Sequence, residues 1–338
     1  MMENGSEVKT MILAGDIGGT KTLLGLFDAA PARPRPAVVR SFGTLDYPDL
    51  PTMIAEFLKD VAAAEAREAH GGVESACFGV AGPVIDETVK VTNVPWFVDA
   101  RRVASALGIA RVALLNDLEA LAHAVPVLRE SETHTLQTGE ALRGGNIGLI
   151  AAGTGLGQAL IHNIGGTFVP SASEAGHADF AARTEREIAL TRDLIARYGR
   201  ADVEHVVSGR GLVNIHRVAH RHPCAAAVNL ESPDAPAAIS SAAVEHRCAG
   251  CEETLDMFVE AYGAESGNLA LRAVSTGGLY VGGGIAPKLL PTLTAGVFMR
   301  AFLAKPPLDA MLSAMPVKVI LNAESGLLGA AVFAAAQR

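Results

Sequence analysis

Two glycine-rich turns in this sequence could bind the phosphate groups of a nucleotide. The turn at residues 18–19 follows an apolar run that ends near Asp16, and the turn at residues 153–157 follows a second apolar run. Glycine has no Cβ, so backbone N–H groups in such turns can approach a bound anion closely. Neither turn matches the P-loop pattern or the dinucleotide fingerprint, and either turn taken alone is more typical of an ordinary hairpin.

Acidic side chains stand where they could hold a metal ion or accept a proton. Asp16 closes the first apolar run, and its carboxylate could hold Mg²⁺ through water, because hard cations prefer oxygen ligands. Asp117 follows Asn116 at the point where an apolar strand pattern gives way to a helix pattern. A carboxylate at the carboxyl end of a strand faces a cleft in many α/β proteins, where it could act as a general base. The alternative is that Asn116 or Asp117 only caps the helix.

A third candidate is the segment Glu174, Ala175, Gly176 and His177. No amphipathic period runs through it, which indicates a loop. A glutamate and a histidine three residues apart could bind hydroxyl groups or a metal ion. A solvated loop without a function is the alternative.

The Cys-x-x-Cys pair, Cys248 and Cys251, could indicate zinc or redox chemistry. Its surroundings favour a helix face, since apolar residues follow one another at spacings of 4, 3, 4, 3 and 4: Val244, Cys248, Cys251, Leu255, Phe258 and Tyr262. Buried cysteine behaves as a small hydrophobic residue. Because a structural zinc ion needs four ligands and no second pair is obvious, we interpret both cysteines as core residues.

Length and composition favour a cytoplasmic protein of two domains. The chain has 338 residues, of which 49% are hydrophobic and 19% charged, and it carries a net charge of -8. The negative charge argues against a nucleic-acid partner. No apolar run is long enough to cross a membrane, and the first residues lack the pattern of a signal peptide.

Apolar periodicity predicts alternating strands and helices, which is typical of the α/β class. The predicted strands cover residues 11–15, 23–27, 112–115, 146–152 and 158–161, and the predicted helices cover residues 51–69, 118–125 and 184–198. Residues 222–241 are rich in Pro, Ala and Ser and predict a loop. The order strand, glycine-rich turn, strand occurs once in each half, which indicates two lobes of related design.

Taken together, these segments resemble the bacterial glucokinases. The motifs occur in the family's order from about residue 11 to the C-terminus: Asp16-Ile17-Gly18-Gly19-Thr20-Lys21, Leu115-Asn116-Asp117, Gly153-Thr154-Gly155-Leu156-Gly157, Glu174-Ala175-Gly176-His177, Ser208-Gly209-x-Gly211-Leu212-Val213-Asn214 and Gly282-Gly283-Gly284-Ile285. The resemblance implies the actin-like ATPase (hexokinase) fold with two ribonuclease-H-like lobes. It implies a small lobe of residues 1–126 plus 318–338 and a large lobe of residues 127–317.

The same resemblance implies a reaction and a set of site residues. The reaction is transfer of the γ-phosphoryl group from ATP to the 6-hydroxyl of glucose, the first step of glycolysis, with Asp117 as the catalytic base. The implied glucose-binding residues are Asn93, Asn116, Asp117, Glu174, His177 and Glu204. The implied ATP-binding residues are Gly15, Asp16, Ile17, Gly18, Gly19, Thr20, Gly153, Thr154, Gly155, Gly283 and Gly284, with Asp16 also holding Mg²⁺ through water. A homodimer is expected from the family's tendency to dimerise.

The chain departs from the family pattern at two places. Ala175 replaces the first glycine of the usual Glu-Gly-Gly-His, and Lys21 resembles the related repressor–open-reading-frame–kinase (ROK) branch. The cysteine-rich zinc loop of that branch does not follow His177, so the chain resembles the zinc-free branch and we expect dependence on Mg²⁺ and ATP without zinc. If position 175 needs a positive φ, Ala175→Gly should tighten glucose binding.

Three other functions stay open at this stage. One is a kinase of the same fold that acts on another hexose or an N-acetylhexosamine. A second is a sugar-sensing repressor, but only about ten residues precede the first predicted strand, which leaves no room for a helix-turn-helix there. The third is an actin- or chaperone-like ATPase with a protein partner.

Overall fold

The computed structural model describes residues 11–30, 32–65, 72–220 and 222–337. Its strands, in chain order, are β1 (Met11–Ile17), β2 (Lys21–Asp28), β3 (Arg35–Gly43), β4 (Val73–Val80), β5 (Thr88–Lys90), β6 (Phe97–Asp99), β7 (Arg111–Asn116), β8 (Thr133–Gln137), β9 (Ile147–Ala152), β10 (Leu156–Ile164), β11 (Thr167–Ser173), β12 (Gly278–Gly282) and β13 (Val317–Ile320). Its helices are α1 (Leu50–Glu65), α2 (Ala100–Leu107), α3 (Asp117–Ala124), α4 (Glu185–Tyr198), α5 (Gly209–Ala219), α6 (Ala235–Val244), α7 (Ala249–Ala273), α8 (Leu290–Thr294), α9 (Val297–Leu303), α10 (Asp309–Ala314) and α11 (Ser325–Ala336).

The chain forms two compact units. The first contains residues 1–128 and 323–338, and the second contains residues 129–322. We expected the chain to return to the first unit at residue 318, whereas it returns at residue 323. Strand β13 accounts for the difference, because it pairs with β12 on one side and with β8 on the other and so completes the sheet of the second unit.

The first unit is built on a five-stranded sheet in the order β3-β2-β1-β4-β7. Strands β1, β2 and β3 are antiparallel neighbours, while β4 and β7 continue the sheet parallel to β1. Alternate side chains of β1 enter two different cores: Leu13 packs in the core that contains Phe57 of α1, and Ile12 and Ala14 pack in the core that contains Leu327 of α11. Both faces of β1 are therefore covered, and its sequence is apolar almost throughout.

The second unit is built on a six-stranded sheet in the order β11-β10-β9-β12-β13-β8. Helix α7 supplies much of its core, with Phe258 and Tyr262 fully buried. A Cβ at Gly263 would overlap the carbonyl oxygen of Phe298, so glycine lets α7 approach α9 closely. Within the described residues, no helix combines the length and the apolar character needed to cross a membrane.

The two sheets share one arrangement, as the repeated pattern in the sequence predicts. In each sheet, three antiparallel strands include a hairpin with a glycine-rich turn, and parallel strands extend the sheet beyond the first strand of that hairpin. The hairpins are β1–β2 in the first unit and β9–β10 in the second. Each unit therefore places one glycine-rich turn at one end of its sheet.

Two local predictions are wrong in part. Residues 222–241 were expected to form a loop, but α6 begins at Ala235, where its alanine-rich sequence supports a helix. The helix expected through Val244 and Tyr262 begins only at Ala249, so that Val244 ends α6 and is half exposed. The predicted helix over residues 51–69 corresponds to α1, and residues 66–69 lie outside the described residues.

Candidate active site

The first glycine-rich turn joins β1 to β2 and is held by hydrogen bonds from a neighbouring strand end. The Gly18 N–H donates to the Lys21 carbonyl at 3.1 Å, which closes the turn. The Thr44 hydroxyl donates to the Gly18 carbonyl at 2.8 Å, and the Thr44 N–H donates to the Thr20 carbonyl at 3.0 Å. The backbone of this turn is therefore fixed in place before any ligand binds.

The sheet register brings Asp16 to the same edge as Asp117. Asp16 pairs with Gly79 of β4, which in turn pairs with Leu115 of β7 two residues before Asp117. A Cβ at Gly79 would lie 2.7 Å from the Cβ of Ala120 and 3.8 Å from the Cα of Asp117. Glycine at position 79 thus allows α3 to begin directly over the strand end, beside Asp16.

Asp16 is unusual among the carboxyl groups of this unit. Burial is the main cause that raises the pKa of Asp16 to about 6, the nearby charge of Asp117 raises it further, and Lys21 opposes both. Two carboxylates with one lysine nearby form a region of excess negative charge. Such a region stabilises a bound cation.

Asn116 and Asp117 both act as caps of α3, as the alternative interpretation allowed. The Asn116 carboxamide oxygen accepts from the Leu118 N–H at 2.9 Å, and its Nδ2 donates to the Gly82 carbonyl at 3.2 Å. Asp117 Oδ1 also accepts from the Leu118 N–H at 2.8 Å. The Asp117 side chain is exposed, so its carboxylate can still meet a ligand.

Asn93 lies beside the first turn. Its backbone adopts the left-handed conformation, with φ 61°, which asparagine tolerates better than most residues. A Cβ at Gly19 would lie 3.7 Å from the Cβ of Asn93. Asn93 is exposed and therefore stands next to the predicted phosphate-binding backbone.

The second glycine-rich turn joins β9 to β10. The Gly153 N–H donates to the Gly155 carbonyl at 2.8 Å, and the Gly209 N–H at the start of α5 donates to the Gly153 carbonyl at 2.9 Å. Gly283 adopts φ +81°, and a Cβ there would overlap the carbonyl oxygen of Ala152. Gly284 follows with no atom near the position of its missing Cβ. The structure thus brings Gly153, Gly155 and Gly283 together.

Glu204 reaches the second turn. Its Oε2 accepts from the Leu156 N–H at 2.9 Å, and its Oε1 lies 3.0 Å from Nη2 of Arg210. A Cβ at Gly155 would collide with the same carboxylate. Glu204 is therefore a partner of the turn backbone, a contact that the sequence motif does not reveal.

The segment of Glu174 and His177 is tied to the segment before Glu204. The Glu204 N–H donates to the Gly176 carbonyl at 2.9 Å, and further backbone hydrogen bonds join residues 178–180 to residues 201–203. Glu174 and His177 are exposed. His177 Nδ1 lies 3.5 Å from Oδ2 of the buried Asp202, which orients the imidazole and leaves Nε2 directed elsewhere.

Comparison with known proteins identifies the family. A family profile described as Glucokinase matches residues 13–337. The glucokinase of Nostoc punctiforme is 39% identical over 350 residues, which cover 96% of this chain and 99% of the relative.

The chain belongs to the glucokinase family.

Solved structures confirm the fold of this glucokinase family member. A glucokinase from an Antarctic psychrotroph is 27% identical with a TM-score of 0.83, covering 96% of this chain and 98% of that one. A ROK-family glucokinase from Streptomyces griseus, solved with glucose and AMPPNP, is 24% identical with a TM-score of 0.61, covering 96% of this chain and 99% of that one. The predicted actin-like ATPase architecture is thus confirmed, while the roles of individual site residues stay predictions.

Several residues of this glucokinase-family site escape sequence reasoning. Gly326 is the second residue of α11, and a Cβ there would lie 2.7 Å from Oδ2 of Asp16. The buried Tyr262 hydroxyl accepts a hydrogen bond from the Ala152 N–H at 3.3 Å and donates one to the Gly282 carbonyl at 3.4 Å. These two hydrogen bonds connect β9 to β12. These contacts join residues far apart along the chain, so no local pattern could indicate them.

The condition that the sequence analysis set for Ala175 in the glucokinase-family loop, a positive φ, is not met. Ala175 begins a short 3₁₀ helix, Ala175–His177, and its φ is not positive. The position that excludes a side chain is Gly176, where a Cβ would overlap the carbonyl oxygen of Leu156. Alanine at 175 is therefore compatible with the native backbone, and glycine is required only at 176.

This difference gives a paired prediction. Gly176→Ala should raise the glucose KM at least about tenfold and lower the free energy of unfolding by about 1–3 kcal/mol, because the loop must move away from Leu156. Ala175→Gly should change the glucose KM by no more than about twofold, since the backbone at 175 needs no special freedom. Steady-state kinetics and urea denaturation of both variants test this. Tighter glucose binding in Ala175→Gly would contradict it.

Proposed function

We propose that this protein transfers the γ-phosphoryl group of ATP to the 6-hydroxyl of glucose, giving glucose 6-phosphate. The observation that carries the proposal is the glucokinase match over residues 13–337, which contains every predicted site residue. Its relatives of the same length carry the name glucokinase. The exposed Asp117 and the two fixed glycine-rich turns support it further.

In the proposed reaction, Asp117 is the general base. Its carboxylate accepts the proton of the 6-hydroxyl as that oxygen attacks the γ-phosphorus and the bond to the β-phosphate oxygen breaks. The positive end of α3 stabilises the negative charge of this carboxylate. Asn116 holds the start of the helix through its hydrogen bonds to Leu118 and Gly82, and one hydrogen of its amide stays available for a sugar hydroxyl.

The remaining sugar contacts are assigned to polar side chains. In this proposal, hydroxyl groups of glucose are bound by Asn93, Asn116, Glu174, His177 and Glu204. Carboxylates suit this role because every hydroxyl can donate a proton and charged hydrogen bonds are strong. Asp202 assists by orienting His177.

The phosphates of ATP are assigned to the two turns. The first turn and its flanking residues bind phosphate in this proposal through the backbone of Gly15, Asp16, Ile17, Gly18, Gly19 and Thr20. The second turn and the glycines beside it bind phosphate through the backbone of Gly153, Thr154, Gly155, Gly283 and Gly284. The excess negative charge at Asp16 and Asp117 fits a divalent cation, and Asp16 would hold Mg²⁺ through water. Bound Mg²⁺ would neutralise charge on the phosphates.

The raised pKa of Asp16 predicts a pH dependence. A carboxyl group with a pKa of about 6 is ionised above that pH and becomes protonated, and so loses its cation, as the pH falls through 6. We therefore expect kcat/KM for ATP to fall about tenfold per pH unit below about pH 6. Asp16→Asn should be less active at pH 8 and should lose this acidic limb. An unchanged limb in Asp16→Asn would contradict the assignment.

A single assay separates the proposed function from its alternatives. ADP release is measured with and without a panel of hexoses, and the product is identified by its reaction with a glucose 6-phosphate dehydrogenase. A glucokinase releases ADP only with glucose and yields glucose 6-phosphate. Equal ADP release without sugar would favour a partner-dependent ATPase, and a preference for mannose or an N-acetylhexosamine would favour another sugar kinase.

We further place this enzyme in the cytoplasm at the first step of glycolysis, as a homodimer without a nucleic-acid or membrane partner. The net charge of -8 supports the absence of nucleic acid. Light scattering coupled to gel filtration tests the dimer.

A further inference from the structure

Five potential metal ligands converge in the second unit, and none of them is a predicted site residue. The ligand atoms of His216, His220, Cys224 and Cys251 all lie within 4.8 Å of one another. Cys248 Sγ lies 3.3 Å from His220 Nε2 and 3.8 Å from Cys224 Sγ. The fold brings these residues together from the last turns of α5, the loop that follows it and the start of α7. All three cysteines are free thiols.

The distances between these atoms match a tetrahedral zinc site. A Zn–S bond of about 2.3 Å at the tetrahedral angle separates two sulfur ligands by about 3.8 Å. Cys224 Sγ lies 3.8 Å from Cys248 Sγ and 3.8 Å from Cys251 Sγ. A nitrogen ligand at about 2.1 Å would lie about 3.6 Å from each sulfur, and His220 Nε2 lies 3.3 Å from Cys248 Sγ.

The hydrogen bonds of His220 prepare it as a ligand. Its Nδ1 lies 3.1 Å from the carbonyl oxygen of His216, which is positioned to accept the Nδ1–H and leaves the Nε2 lone pair free toward Cys248. A metal-bound histidine typically donates a hydrogen bond from the N–H of its second ring nitrogen in this way. A Cβ at Gly250 would overlap the His220 ring, so glycine at the start of α7 makes room for it.

His216 lies beside these residues and is an alternative fourth ligand. It is 4% exposed, yet neither of its ring nitrogens has a hydrogen-bond partner. Buried polar groups are nearly always satisfied, so an unsatisfied one points to an absent water or ion. The ring stacks on that of His220 with centroids 3.6 Å apart.

Cys248 is favoured over His216 as the fourth ligand. The Cys248 sulfur lies 3.3 Å from His220 Nε2 and 3.8 Å from Cys224 Sγ, and the backbone N–H groups of Cys251 and Ala225 are directed at it. Backbone N–H groups that point at the sulfur stabilise a thiolate, which is the form that binds metal. Cys248 is also the residue that caps α7, at its positive end.

We propose that Cys224, Cys248, Cys251 and His220 bind one zinc ion, or a similar thiophilic divalent cation, as a structural site that joins α5 to the start of α7. None of the four is a predicted site residue, so the phosphoryl transfer needs no zinc. Cys248 and Cys251 are both buried in the core, as the sequence predicted, and the further potential ligands His220 and Cys224 lie 24 to 31 residues earlier in the chain. The ROK-type zinc loop would follow His177 and is a different site.

The metal content of the purified full chain tests this proposal. Protein produced in zinc-containing medium and isolated without chelators should hold about one zinc per chain, and so should the control Cys77→Ser, whose thiol lies in the first unit. Cys224→Ser and Cys251→Ser should hold less than about one fifth of that. Gly250→Ala, which keeps all ligands but displaces His220, should release zinc to a chelator at least about tenfold faster.

Cobalt substitution of the unmutated protein keeps the test valid if the variants fail to fold. Bound Co²⁺ should show thiolate-to-metal charge transfer and the visible bands of a tetrahedral site. No metal retained by the unmutated protein after incubation with zinc, equal zinc in Cys251→Ser, or a disulfide among these cysteines in freshly isolated protein would each overturn the site. Full zinc retention in Cys248→Ser would show that Cys248 is not the fourth ligand.

Thermal unfolding gives a second readout that is independent of kinase activity. With free zinc near 100-fold above its Kd, removal of the metal should lower Tm by about 5–10 °C. Chelator treatment of Cys251→Ser should leave its Tm unchanged. Because neither measurement uses glucose or ATP, failure of the zinc site would leave the proposed function untouched.

Discussion

Asp117→Asn should lower kcat by at least about 10²-fold while ATP affinity changes little. Asparagine keeps the shape of the side chain and can still accept the Leu118 N–H that Asp117 Oδ1 accepts at 2.8 Å, so the start of α3 should be preserved. What the variant loses is the carboxylate that removes the proton of the 6-hydroxyl. Steady-state kinetics together with nucleotide titration measure the two effects separately.

The matched control is Asp99→Asn. Asp99 is also a carboxylate at a helix start, where it accepts from the Arg101 and Arg102 N–H groups at the start of α2, but it is not a predicted site residue. Asparagine caps helices as well as aspartate does, so kcat of this control should stay near that of the unmutated protein. If Asp117→Asn also turns over at a near-normal rate, Asp117 is only a helix cap and the proposed mechanism fails.

Galactose should be a poorer substrate than glucose by up to about 10⁴-fold in kcat/KM. The reason is that polar side chains assigned to specific hydroxyls are left unpaired when one hydroxyl is inverted, as the 4-hydroxyl is in galactose. Mannose and N-acetylglucosamine differ from glucose only at position 2 and should retain weak activity. A coupled assay of ADP release over these sugars measures the ratios.

Two glutamate variants separate the sugar contacts from the phosphate contacts. Glu174→Gln should raise the glucose KM far more than the ATP KM, because Glu174 is exposed on its loop. Glu204→Gln should raise both, since the Glu204 carboxylate also holds the Leu156 N–H in the second turn and pairs with Arg210. Glu185→Gln, at the exposed start of α4, serves as the control and should leave both constants unchanged.

Clear outcomes would contradict this assignment. If N-acetylmannosamine or a non-sugar alcohol exceeds glucose in kcat/KM, the protein is not a glucokinase. If neither glutamate variant changes the glucose KM, the sugar contacts lie elsewhere. A normal ATP KM in Glu204→Gln would show that its bond to the second turn has no role in nucleotide binding.

The sequence by itself determined the features that depend on local order. The alternation of apolar residues around 18–19 and 153–157 predicted both hairpins, and the helix predicted over residues 184–198 corresponds to α4, which begins at a capping box of Thr184 and Glu187, because turns and caps need particular residues at fixed spacings. The ordered motifs also predicted the family, which the comparisons confirm. What the sequence misjudged was equally local: α6 was mistaken for a loop because proline and serine mask its alanine-rich pattern.

Only the tertiary structure decided which distant residues meet. The parallel register of β1, β4 and β7 places Asp16 beside Asp117, a hundred positions apart, and the folding of α5 against α7 places His220 on Gly250. It also showed that the residue that must be glycine in the Glu174–His177 loop is 176 and not 175, since a Cβ at residue 176 would overlap the carbonyl oxygen of Leu156 in β10. Such contacts depend on how sheets and helices pack, and residue spacing along one segment carries no information about the atoms it will face.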